Sequence, residues 1–259
     1  MRLIVTRPAA QAQEWVAQLR ALDIDAVALP LIRIEPVADD APLRAAWSGL
    51  SAFALVFFVS SNAVAHFFAA RPAAASWPQG LRAAAPGPGT AHALRQAGVP
   101  AGAVVEPAAD ATSLDSEAVW ERLQHDDWRG RRVLLVRGEH GRDWLATQLG
   151  DAGAQVDPLA AYARRPPRLD DHARELLDGA LAAPAQQVWL FSSSEAVRRL
   201  HTLAPSLGPG AFALATHERI AAACRGLGFG TVRQCAPTAA EVAAVARSFG
   251  VGPIQSTPP

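Results

Sequence analysis

The sequence predicts an α/β protein made of two flavodoxin-like domains with mainly parallel sheets, joined by a two-stranded linker. Three observations predict it. Short apolar runs alternate with longer helical patterns along the chain, the second half repeats the first, and both halves break the alternation at equivalent places. A length of 259 residues also exceeds the usual size of one domain.

In chain order, a strand at 3–6 leads into a helix at 11–22 and a strand at 26–29. Strands at 55–59 and 82–85 each feed a helix, at 63–70 and 91–97, and a strand at 103–105 follows. Residues 132–136, 144–152 and 155–159 then restate the opening strand, helix and strand. Strands at 188–191, 212–215 and 231–234, with helices at 196–203 and 220–227 between them, complete the pattern. Parallel strands need such crossovers, and a helix is the usual one. The end of the chain, 251–259, reads as a disordered tail.

The repeat is explicit. Phe58, Val59, Ser60, Ser61, Asn62, Ala63 and Val64 recur as Phe191, Ser192, Ser193, Ser194, Glu195, Ala196 and Val197, displaced by 133 positions. Val5, Trp15, Leu19, Val27 and Pro30 are echoed by Val136, Trp144, Leu149, Val156 and Pro158 at displacements of 128 to 131. The alternation breaks at 32–36 and again at 162–166, the natural points for the chain to cross between domains. Crossing at both gives a first domain of 1–31 plus 167–259 and a second of 37–161, each with five strands. The two linker strands are then expected to pair and to act as a hinge.

Composition removes several function classes. Formal net charge is zero, which offers no global field for nucleic acid or an anionic membrane surface. All 24 basic residues are Arg, so no Walker A loop, Schiff base or pyridoxal site is available. Gly87, Pro88 and Gly89 lack the third glycine of a dinucleotide fingerprint. Cys224 and Cys235, the two thiols, and the scattered His66, His92, His140 and His201 show no metal-type spacing, so no metal or other cofactor is expected. Residues 1–8 lack the pattern of a signal peptide and no run approaches a membrane span, so the expected location is cytoplasmic and the default state a monomer.

In open α/β sheets, ligands bind beyond the carboxyl ends of the strands, where helix N-termini present unpaired N–H groups. The loops expected there carry Thr6 and Arg7; Ser60, Ser61 and Asn62; Gly87 and Thr90; Arg137 and Gly138; Ser193 and Ser194; and Thr216. Two readings stand for these residues: helix caps, or donors lining a cleft for an elongated ligand with several anions. Tyr162, the only tyrosine, lies in the second crossover, where its ring is expected to project into the gap between domains, as hinge packing or as a catalytic group.

The segments VTRP (Val5 to Pro8), LPLI (Leu29 to Ile32), FVSSNAV (Phe58 to Val64), APGPGTA (Ala85 to Ala91), VRG (Val136 to Gly138) and the late FSSSEAV (Phe191 to Val197) carry a resemblance by their order and spacing. With them the chain resembles the uroporphyrinogen-III synthase family along nearly its whole length. The resemblance implies the two-domain fold with paired linker strands, a linear tetrapyrrole as small-molecule partner, and cyclisation of hydroxymethylbilane with loss of water and inversion of the last pyrrole. It places the family's hydroxyl loops on Ser61, Thr90 and Ser194 and its cleft tyrosine on Tyr162, the candidate general acid. Thr216, His217 and Glu218 depart from the pattern, since many relatives have Gly or Ser followed by Thr. The alternative is a catalytically silent two-lobed tetrapyrrole-binding or sensor protein.

Overall fold

Strand β1 (Arg2–Val5) is short and apolar, and Leu3, Ile4 and Val5 are wholly buried because a strand flanks it on each side. In this computed structural model, which describes residues 1–108, 116–140, 144–208 and 210–253, β1 pairs in parallel with β2 (Ala26–Ala28) and with β9 (Gln187–Phe191). The chain divides into two compact units, Met1–Arg33 with Arg165–Pro259, and Ile34–Arg164.

The sheet of the first unit runs β11-β10-β9-β1-β2, all parallel, with β10 at Phe212–Ala215 and β11 at Thr231–Gln234. Numbered within the unit this is 2-1-3-4-5, the flavodoxin-like order. Helices α1 (Ala9–Arg20) and α10 (Ala239–Arg247) bury Ala12, Val16, Leu19, Val242, Ala243 and Ala246 against Leu3, Val5, Val188 and Leu190. Strand alternation turns Ile4 and Trp189, both fully buried, to the other face. Helices α7 (Asp171–Ala182), α8 (Ser194–Leu203) and α9 (Glu218–Gly226) complete the unit. Val251 is buried in this core and Asp25 donates its N–H to the Gly252 carbonyl at 2.7 Å, so residues 251 and 252 belong to the fold and not to the expected tail; residues 254–259 lie outside the described ones.

The second unit carries the order β3-β8-β7-β4-β5-β6. Its strands are β3 (Arg33–Pro36), β4 (Leu55–Phe58), β5 (Arg82–Ala84), β6 (Val104–Val105), β7 (Arg132–Gly138) and β8 (Gln155–Arg165). If β7 and β8 are counted as first and second, β8-β7-β4-β5-β6 is again 2-1-3-4-5. The halves have therefore exchanged their opening strand pairs: β1 and β2 sit in the sheet of β9–β11, and β7 and β8 in that of β4–β6. One face is covered by α2 (Ala41–Ser48), α3 (Ser61–Ala69) and α4 (Pro88–Gln96), whose Trp47, Phe67 and Leu94 pack on Val56, Phe58 and Val136. On the other, α5 (Ser116–Leu123) and α6 (Trp144–Asp151) set Val119, Leu123, Leu145 and Leu149 against Leu55, Phe57 and Leu135. Trp47 stacks on Phe67 at 4.8 Å between ring centroids and donates its indole N–H to the Phe67 carbonyl at 2.9 Å. Each such buried large side chain contributes about 1.5–3 kcal/mol.

Strand β8 is a single 11-residue strand, so the second expected linker segment continues a core strand without a break at 162. Its register against β7 slips: Arg137 faces Ala160, whereas Gly138 faces Tyr162, leaving Ala161 as the extra residue.

Candidate functional site

In the first unit, the carboxyl ends of β1, β9 and β10 bring together Thr6, Arg7, Ser193, Ser194 and Thr216. Thr6 is buried and donates its hydroxyl proton to the Leu190 carbonyl at 2.7 Å. That proton ties two strands and is not available to a ligand, which corrects the expectation for this side chain. Ser193 caps α8, accepting the Glu195 N–H at 3.1 Å, and Ser194 donates to the Arg219 carbonyl at 3.4 Å. His217 caps α9 by accepting the Arg219 N–H on Nδ1 at 3.1 Å, and Thr216 is half-buried with its N–H on the Phe191 carbonyl. The capping reading therefore holds for Ser193.

Arg7 is different. Its guanidinium lies over the Trp15 ring, 4.2 Å from the centroid, with Nε buried and without a hydrogen-bond partner. Burial pushes its pKa down to about 10 against the opposing pull of Glu14, so it remains a cation at neutral pH. It stands beside the start of α1, whose N-cap, Pro8, supplies no capping side chain. A partly desolvated cation beside an uncapped helix start favours an anion.

In the second unit, β4, β5, β7 and β8 gather Ser60, Ser61, Asn62, Gly87, Thr90, Arg137, Gly138 and Tyr162. Ser60 caps α3, accepting the Ala63 N–H at 3.3 Å, and Ser61 and Asn62 occupy its half-buried first turn. Gly87 is the N-cap of α4 and brings no side chain, which leaves that helix start open as at α1; Thr90 is buried in its first turn. Arg137 and Gly138 line a depression of about 610 Å³ with Glu139, Thr147 and Pro158.

Tyr162 does not project outward as expected. It is fully buried in the core of the second unit with Val136, Leu159 and Ala161, and its ring stacks on His66 at 5.9 Å. Burial lowers the pKa of His66 and favours its neutral form. The Tyr162 hydroxyl lies 3.2 Å from Ser60 Oγ and receives a hydrogen bond from Arg164 Nη2, also at 3.2 Å. A Cβ on Gly138 would stand 3.1 Å from Tyr162 Cε2 and Cζ, so glycine makes room for the ring. Arg164 and His66 were not among the sequence candidates. Arg164 carries the one signal that points to it, its place two residues along the same strand as Tyr162.

Fold and loops define a class: a two-unit α/β protein with hydroxyls, arginines and open helix starts at the carboxyl edges of its sheets. Among the described residues no three His, Cys, Asp or Glu side chains are placed to hold a metal, and no helix is long and apolar enough to cross a membrane. The model of the uroporphyrinogen-III synthase HemD family matches residues 13–244, and the chain belongs to that family, enzymes of tetrapyrrole biosynthesis. It is 29% identical over 181 residues to the uroporphyrinogen-III synthase of Chlorobaculum parvum, covering 66% of this chain and 67% of the relative. It is 31% identical over 165 residues to that of Proteus mirabilis, 63% of this chain and 80% of the relative. A crystal structure of a mutant uroporphyrinogen III synthase from Thermus thermophilus aligns with a TM-score of 0.61 at 19% identity, covering 96% and 97% of the two chains, a likeness of fold.

Proposed function

We propose that this chain closes the linear tetrapyrrole hydroxymethylbilane to uroporphyrinogen III, losing the terminal hydroxyl as water and inverting the last pyrrole. Family membership supports the reaction. The observation that carries the site is Arg7, a half-buried cation at the carboxyl edge of its sheet, its Nε buried without a hydrogen-bond partner, over Trp15 and beside an uncapped helix start. The pyrroles supply the chemical reactivity, so the protein's task is to hold carboxylates and to curl the chain. In the first unit Arg7 and the open start of α1, with Ser194 and Thr216 on neighbouring loops, and in the second Arg137 and the open start of α4, with Ser61 and Thr90, are each suited to that task. Each charge-assisted hydrogen bond contributes about 1.5–3 kcal/mol, and positioning is then the larger part of catalysis. The same reading takes the chain as a cytoplasmic monomer acting without metal or nucleotide.

The test is direct. Purified protein is given hydroxymethylbilane with no added metal or nucleotide, and the products are oxidised to porphyrins and separated by chromatography. The expected product is the type III isomer. Free bilane closes without inverting its last ring, so type I isomer alone, at the uncatalysed rate from folded protein, refutes the enzyme reading and favours the silent binding protein.

A further inference from the structure

We infer that Ser60 is the group that touches the substrate at this edge of the second unit, and that Tyr162 and Arg164 are positioning residues that hold the Ser60 hydroxyl proton outward. The inference rests on the function proposed above and assigns its tyrosine a different part.

Three hydrogen bonds determine the direction of the protons. Arg164 has donors and no acceptor, so its Nη2 donates to the Tyr162 oxygen at 3.2 Å. Tyr162 is fully buried and, among the described residues, its hydroxyl meets only Arg164 and Ser60. A phenol proton turned away from Ser60 would be buried without an acceptor, a costly state. The phenol therefore donates to Ser60 Oγ at 3.2 Å. That oxygen also receives the Ala63 N–H at 3.3 Å. A serine hydroxyl accepts two hydrogen bonds and donates one. With both acceptor positions filled, the Ser60 proton can go to neither neighbour and must be donated away from the pair.

Ser60 is half-buried at the end of β4, whereas Tyr162 has no exposed surface. Of the two hydroxyls, only that of Ser60 can reach a bound molecule. A free serine hydroxyl samples several rotamers; this one is already aimed and loses less freedom when it donates to a substrate oxygen. The chemistry fits an oxygen acceptor, either a carboxylate or the departing hydroxyl.

Two measurements test the order. Infrared spectra of protein with ring-labelled tyrosine report one residue, because the chain has a single Tyr. The phenol should both donate and accept; Ser60→Ala should remove the donating component and Arg164→Met the accepting one. This readout needs no turnover, so it stands even if the enzyme reading fails. An unchanged donating component in Ser60→Ala overturns the inference. Kinetics supply the second test: Ser60→Ala should lower kcat/KM about tenfold, the loss of one neutral hydrogen bond, while Ser60→Thr, which keeps the hydroxyl, should recover most of it. Adding Tyr162→Phe to Ser60→Ala should cost nothing further, since Tyr162 acts through Ser60. Effects that multiply would show that Tyr162 acts independently and would overturn the relay. Tyr162→Phe with lowered stability but unchanged kcat and KM would do the same, returning Tyr162 to packing alone.

Discussion

Gly138→Ala tests the packing on which the site of the second unit depends. The added Cβ would lie 3.1 Å from Tyr162 Cε2 and Cζ and 3.4 Å from Oη. Carbon atoms pack at about 3.5–4.0 Å, so the ring has to retreat by about half an ångström. It has little room: Tyr162 is fully buried, and its hydroxyl is held by Ser60 and Arg164. Overpacking of this kind costs about 1–3 kcal/mol. With a urea dependence of about 2 kcal/mol per molar, the midpoint should fall by about 0.5–1.5 M with an unchanged slope. Tryptophan fluorescence during urea unfolding provides the assay. The discriminating background is Tyr162→Leu, which removes the ring atoms, and there Gly138→Ala should be nearly neutral. A parental midpoint in Gly138→Ala, or an equal loss in both backgrounds, would refute the reasoning.

Arg7→Lys should raise KM for hydroxymethylbilane about tenfold or more with kcat nearly unchanged, because an ammonium reproduces neither the stack on Trp15 nor the guanidinium fork; an unchanged KM removes Arg7 from the binding set. His66 has its pKa lowered from 6.5 by burial, so in acid the unfolded chain takes up its proton first and stability should fall as pH drops below 6.5. Urea midpoints across that range should show a shallower acid slope in His66→Gln, and an identical slope would count against a role for this group. Burial pushes the thiols of Cys224 and Cys235 up from 9.0 to about 12, so the unfolded chain loses those protons first. Stability should therefore fall as pH rises from 9.0 towards 12, less so in Cys224→Ala, and both thiols should resist a thiol reagent at neutral pH until the chain is unfolded. Rapid labelling of the native protein would contradict that burial.

The fold was legible because its signals are local or periodic. Apolar runs gave the strands, and the echo of Phe58–Val64 in Phe191–Val197 related the halves. The site was legible only to the level of loops. Which hydroxyl was committed to the fold depended on contacts far apart in sequence: Thr6 meets Leu190 across 184 positions. Tyr162 was misplaced for a specific reason. Strict alternation puts neighbouring residues of a strand on opposite faces, yet Ala161 and Tyr162 enter the same core, because the register slip opposite Arg137 and Gly138 turns the ring inward. No pattern in the sequence marks that bulge. Arg164 escaped notice for the related reason that its significance depends on where the phenol points.

The exchange of strand pairs between the two halves dictates an order of events during synthesis. The second unit, Ile34–Arg164, is continuous and can close as soon as it has emerged from the ribosome. Strands β1 and β2 emerge earlier still, but their partner β9 begins only at Gln187. Until then Leu3, Ile4 and Val5 have only β2 to pair with, and the edge that β9 will cover stays open, with its apolar surface, through the making of the entire second unit. The nascent chain is most exposed to aggregation in that interval, and a pause after β8 would prolong it whereas a pause after β9 would not.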